Sequence, residues 1–125
     1  MAAPNIVSVT SIFGKTTFDT DVATSASATL TNAASSDKVL KVNTIIAANI
    51  DGSNDADITV YVSNASNTTA LYHLAKTVTV PADSSLVIIS KDTSFYLEEN
   101  RRIIALASAA GDISLMISYE EIDDA

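Results

Sequence analysis

His73 is the single histidine of a 125-residue chain that has no cysteine, so base chemistry near neutral pH would have to begin there. As a general base it needs a nucleophile within reach and an acid to orient it. Serines abound, but none sits in a nucleophile-elbow pattern. Within Leu71-Tyr72-His73-Leu74 the imidazole falls on the face opposite Tyr72 and Leu74, which reads as a surface or structural histidine. Asp51-Gly52-Ser53-Asn54-Asp55-Ala56-Asp57 places oxygen side chains at 51, 53, 55 and 57, a spacing that can wrap a hard cation such as Ca²⁺. Its glycine is at the second position rather than the sixth, and no bidentate glutamate follows. A polar hairpin loop explains the same letters. Glu98-Glu99 invites comparison with a glycosidase pair, but that chemistry needs two carboxylates facing each other across a sugar. Adjacent residues at a strand end point apart, and Arg101-Arg102 answers their charge in a solvated turn. There is no phosphate loop, no GxGxxG and no CxxC. The expectation is a non-enzymatic protein with no catalytic residue, metal site or cofactor.

The elements that would carry these residues are strands. In Ser25–Thr31 every even position is apolar and every odd one polar, the period of a strand with one wet face. Ile58, Val60 and Val62 alternate with Thr59, Tyr61 and Ser63, and Ile113, Leu115, Ile117 and Tyr119 with Ser114, Met116 and Ser118. From Leu74 to Val80 alternation persists except that Lys76 falls on the mostly apolar face. Leu86–Ile89 and Ile103–Leu106 are continuous apolar runs, which read as strands covered on both faces. Asp51-Gly52, Pro81-Ala82-Asp83, Glu98-Glu99-Asn100 and Gly111-Asp112 supply turn chemistry between runs.

Strands are therefore predicted near 6–13, 24–32, 38–50, 57–63, 70–80, 84–90, 102–109 and 113–120, with short extensions near 15–18 and 95–97. All three glycines then sit between strands. The fold class is all-β: one antiparallel β-sandwich domain over residues 1–125, jelly-roll or immunoglobulin-like, of about 7–9 strands. Residues 1–5 read as an N-terminal arm, residues 121–125 as an acidic tail, and 33–37 and 63–69 as exposed loops.

Composition excludes several classes. A formal charge of −8, with seven Lys and Arg scattered along the chain, repels phosphate backbones, so no nucleic-acid partner is expected. The apolar stretches near Val39–Ile50 and Leu86–Ile89 are too short or too interrupted to span a bilayer. Met1–Asn5 lacks the basic start and apolar run of a signal peptide. Assembly in a cytoplasm is expected, and the sequons at Asn64 and Asn67 carry little weight. Without cysteine, disulfides and thiolate metal sites are ruled out.

Ser11-Ile12-Phe13-Gly14-Lys15-Thr16, Leu30–Ser36, Val42–Ile46 and Ala56–Val60 stand ahead of the denser run Ala75–Asp92, followed by Tyr96–Glu99 and Ser118–Ile122. Taken together, over nearly the full length, they resemble small virion structural proteins of tailed bacteriophages, particularly those of marine cyanophages. Where such proteins usually have Gly-Asp after the Glu pair, this chain has Asn100-Arg101. The resemblance implies a virion component: a capsid decoration, or cement, protein that bridges major capsid subunits. The alternative is a neck, tail or fibre part. A carbohydrate-binding sandwich is a third reading, disfavoured because there is no Trp and the four Tyr are scattered. The expected partners are the major capsid protein or other virion proteins and further copies of the chain, for which a trimer would match a local threefold. The segments expected to touch them are Ala3, Pro4, Asn5 and Ile6, as an arm added to a neighbour's sheet edge, and Glu120, Glu121 and Ile122, as an acidic dock with an apolar peg.

Overall fold

Alternation decides which face of each strand is buried, and the computed structural model, which describes residues 6–123, closes two such faces on each other. The strands are β1 (Ser11–Asp19), β2 (Ser27–Asn32), β3 (Lys38–Asn49), β4 (Ala56–Asn64), β5 (Ala70–Val80), β6 (Ser85–Ile89), β7 (Phe95–Leu97), β8 (Arg101–Ala107) and β9 (Ile113–Asp123). A single 3₁₀ turn, Lys91–Thr93, interrupts the β6–β7 segment. One sheet has the order β1-β9-β3-β6, with β7 also paired to β3, and the other has β2-β8-β4-β5. Every pairing is antiparallel. The chain passes from sheet to sheet at almost every connection, which is the double Greek key of a jelly roll rather than the immunoglobulin order.

The inner faces supply the core. Val42, Ile45 and Ala47 of β3 and Ile113, Leu115 and Ile117 of β9 meet Ile58 and Val60 of β4 and Ile103, Ala105 and Ala107 of β8. Small and β-branched side chains let the two sheets approach closely and lock their rotamers. Two buried asparagines tie one sheet to the other. Asn32 of β2 donates from Nδ2 to the carbonyls of Leu97 on β7 and Lys38 at the start of β3. Asn49 of β3 donates to the carbonyls of Val80 on β5 and Asn54.

Several strand boundaries differ from the sequence reading, each for a local reason. Residues 6–10 form turns and a bend, and a single β1 runs through Gly14 to Asp19, so this glycine lies inside a strand. The expected tail at 121–125 is corrected: Glu121, Ile122 and Asp123 belong to β9 and pair with both β1 and β3. In β2 a register shift between Ala28 and Leu30 leaves Thr29 as the extra residue, so Ala28 faces solvent while Leu30 is buried. In β5 residues 76 and 77 are skipped between the pairs Ile58–Val78 and Val60–Ala75. Thr77 takes φ = 52° there, and the bulge turns Lys76 outward although strict alternation would have sent it into the core. The apolar run in β6 belongs to an edge strand, and Val87 is exposed rather than covered. Asn100 occupies the left-handed region at φ = 61°, so it performs the turn for which the resembled proteins use glycine.

Candidate interaction surfaces

The residues first considered for chemistry do not converge. His73 lies exposed on β5, its ring 5.1 Å from that of Tyr61, its partner across β4. The Asp51–Asp57 oxygens serve the backbone instead of a common centre. Asp51 accepts from the amides of Ser53 and Asn54 and from the Asn54 side chain. Those bonds hold its carboxyl below the usual carboxylate range. Asp55 accepts from the Ala82 amide and Asp57 from the Thr79 hydroxyl. Among the described residues, no group of three or more His, Cys, Asp or Glu is placed to hold a metal ion. Glu99 turns back to accept from the Asp37 amide, while Glu98 is exposed.

Of the expected contact residues, Ala3, Pro4 and Asn5 lie outside the described residues. Ile6 is exposed in the turn before β1. Glu120 accepts from Asn43 at 3.2 Å, and Glu121 meets Lys15 at 3.0 Å and Lys38 at 3.5 Å. Ile122 cannot be the apolar peg: it is 5% exposed, paired with Ile12 on one side and Val39 on the other.

Charge is distributed by end. The turns at 19–27, 49–58, 79–85 and 107–114 gather at one end of the sandwich and bond to one another: the Gly111 amide to Asp21, the Asp83 amide to the Asp51 carbonyl, and the Asp57 amide to the Ser108 hydroxyl. They carry Asp19, Asp21, Asp51, Asp55, Asp57, Asp83 and Asp112 and not one Lys or Arg. Towards the far end Lys38, Lys41, Arg101 and Arg102 are interleaved with the acids, while Lys15, Lys76 and Lys91 lie between the two ends. Partial burial, with Asp51 and Asp21 close by, pushes the Asp112 carboxyl up.

Exposed apolar side chains include Ile6, Val7, Ile12 and Phe13 at and before the start of β1, and Val78 and Tyr96 singly; two further surfaces are more extended. The first is a cleft of about 610 Å³ where the edges of β5 and β6–β7 part, towards the far end, lined by Val62, Leu74, Ile88, Ile89 and Phe95, with Leu71 and Tyr72 on its rim and Arg101 beside it. Leu71 is 51% exposed and Tyr72 69%. The second is the outer face of the sheet containing β9. Register places Phe18, Met116, Ile46 and Val87 opposite one another in β1, β9, β3 and β6, so one apolar row crosses the sheet. Thr16, Ser118 and Thr44 form the row on one side of it, and Ser114, Ala48 and Ser85 the row on the other. None of these ten side chains is charged. A shallow hollow of about 230 Å³ lies along the apolar row between Phe18, Ile46 and Met116. Sequence reading missed this face, because Met116 and Ile46 were taken singly and only the register aligns them.

Comparison with protein-family models and with curated proteins finds no match. Among solved structures, the chain is similar to a protein described under the words "Bacillus endospore appendages form a novel family of disulfide-linked pili", at 17% identity and a TM-score of 0.50 over 91% of this chain and 89% of that one. The likeness is one of fold. The linkage named there has no counterpart available here, since this chain has no cysteine.

Proposed function

We propose that this chain is a non-enzymatic structural protein of a virus particle, and that it decorates and braces a capsid by bridging major capsid subunits. The observation that carries the reading is polarity: one end of the jelly roll is uniformly acidic, and the apolar cleft beside Arg101 opens towards the other. A protein attached to a shell has one end against protein and one in medium. An end rich in aspartate stays hydrated and repels its neighbours' equivalents at high local density. An apolar cleft rimmed by Leu71 and Tyr72 suits a protein surface, because aromatic and aliphatic anchors in a concavity carry most of the energy of such contacts. The sequence resemblance to phage virion proteins points the same way. Many weak sites acting together on one shell add up to resistance against the pressure of packed genome.

The test is co-sedimentation of purified protein with expanded empty capsids and measurement of their disruption temperature. Binding with a raised temperature is expected, and Leu71→Glu should abolish both. Absence of co-sedimentation would remove the capsid reading. Quantitative mass spectrometry of virions separates it from a neck, tail or fibre part: hundreds of copies for a decoration protein, about a dozen or fewer for the others.

A further inference from the structure

We propose that the cleft between β5 and β6–β7 is a socket for one kind of partner segment: a bulky apolar side chain with a carboxylate beside it. The chemistry of the occupant follows from the cleft itself. That its owner is the capsid subunit rests on the decoration reading above. Register shows how the walls arise. In β5, Val60 and Tyr61 pair with Ala75 and His73, which leaves Leu74 as an extra residue, and Val62 and Ser63 pair with Tyr72 and Ala70, which leaves Leu71. On the other wall, Ile45 and Ile46 pair with Ile89 and Val87 of β6, which leaves Ile88. All three extra residues line the cleft. A bulge re-aims a side chain and breaks the regularity of its ladder. Here three bulges, from edge strands of two different sheets, bring leucine or isoleucine to one hollow.

Arg101 supplies the charge. It shares the inward parity of Ile103, Ala105 and Ala107 on β8, so alternation brings an arginine to the gap between the sheets, where it borders the cleft. Among the described residues the ion pairs are those of Lys15 and Lys38 with Glu121, and no carboxylate pairs with Arg101. Its side chain donates only to the Asn100 carbonyl, at 3.5 Å. A guanidinium keeps its charge beside apolar walls and presents a fork that matches a carboxylate. The interrupted ladders give an added strand no continuous edge to pair with, so the occupant enters by its side chains. Leu71 and Tyr72 on the rim are 51% and 69% exposed. A free amphiphile bearing the same two groups would fill the hollow and leave that rim wet. A protein surface continuing beyond its anchor covers both residues.

Phenylbutyrate is the minimal probe, with phenylbutanol as its uncharged counterpart, each followed by amide NMR shifts of the whole chain. Both should bind with shifts centred on Leu71–Leu74, Ile88, Phe95 and Arg101, the carboxylate roughly tenfold the tighter. Arg101→Gln should erase that preference and leave binding of the alcohol unchanged, whereas Leu71→Ala should weaken both probes alike. With expanded empty capsids, Arg101→Glu should abolish co-sedimentation while melting as the parent does, and Arg101→Gln should weaken it about tenfold. Equal binding of acid and alcohol, a preference that survives Arg101→Gln, or shifts centred elsewhere would each overturn the socket. Capsid binding by the parent that Arg101→Glu leaves intact overturns this proposal, and the decoration reading stands. No capsid binding by the parent, with the probes behaving as expected, overturns the capsid subunit as owner together with the decoration reading, and the chemistry of the socket stands.

Discussion

Asn49 illustrates how much one side chain can hold in a sandwich without disulfides. It is 2% exposed, donates to the carbonyls of Val80 and Asn54, and accepts from the Asp51 amide. Truncation would leave three backbone groups without partners in a place water reaches poorly. Asn49→Ala is therefore expected to cost about 2–4 kcal/mol and to lower the melting temperature by roughly 10 °C. An unchanged denaturant midpoint would show that the two sheets do not depend on this tie. Asp112 works in the opposite sense. Its folded-state carboxyl is pushed above the ordinary range by partial burial and by Asp51 and Asp21, so the folded protein holds that proton more tightly than the unfolded chain does. The contribution to stability is fully present below the ordinary carboxylate range and is lost as pH rises through the raised value. Asp112→Asn should raise the melting temperature at pH 7, and the difference from the parent should shrink as pH falls towards 4. A difference independent of pH would contradict this assignment.

At the scale of elements, the strands were legible wherever one face is wet and the other dry. β9 runs as its alternation indicates, with Ile113, Leu115 and Ile117 essentially inaccessible, and so does β4 as far as Val60. Beyond the register shift at Tyr61 the side chains of Tyr61 and Ser63, expected on the wet face, are buried, Tyr61 donating its hydroxyl to the Thr68 carbonyl. What could not be read was which strands lie at edges and where register slips. Leu86–Ile89 looked doubly covered, yet β6 is an edge. Hydrophobicity reports a side chain's preference, while edge position depends on the order in which distant strands pair. Ile122 looked like part of a tail because acids surround it, but pairing with Ile12 and Val39 buries it. The site was harder still, since a surface built of single residues from four strands leaves no local spacing to find. Lys76 was the one visible trace of a bulge. Thr77 makes that bulge at φ = 52° with its amide on the Thr59 hydroxyl, a conformation unfavourable for a β-branched residue. Thr77→Gly should relieve the strain and stabilise by up to about 1 kcal/mol, the gain being reduced by glycine's larger unfolded-state entropy. A loss of stability in urea unfolding would mean that the threonine side chain contributes more than its backbone costs.

For the molecule as a whole, the distribution of charge matters more than its total. Two ion pairs join Lys15 and Lys38 to Glu121, whereas the seven aspartates at the opposite end have no cation among them. Screening weakens both kinds of interaction, but exposed ion pairs contribute little, and unbalanced like charges within a Debye length of about 8 Å oppose the fold together. Salt should therefore stabilise this protein at pH 7, raising its melting temperature between 10 and roughly 300 mM NaCl. Asp83→Asn removes one charge while keeping a residue that tolerates the φ of 56° found there, and it should flatten the salt response without disturbing the turn. If salt instead lowered the melting temperature, the ion pairs at the far end would outweigh the repulsion. The acidic end would then be too weak an electrostatic feature to orient the chain on a capsid.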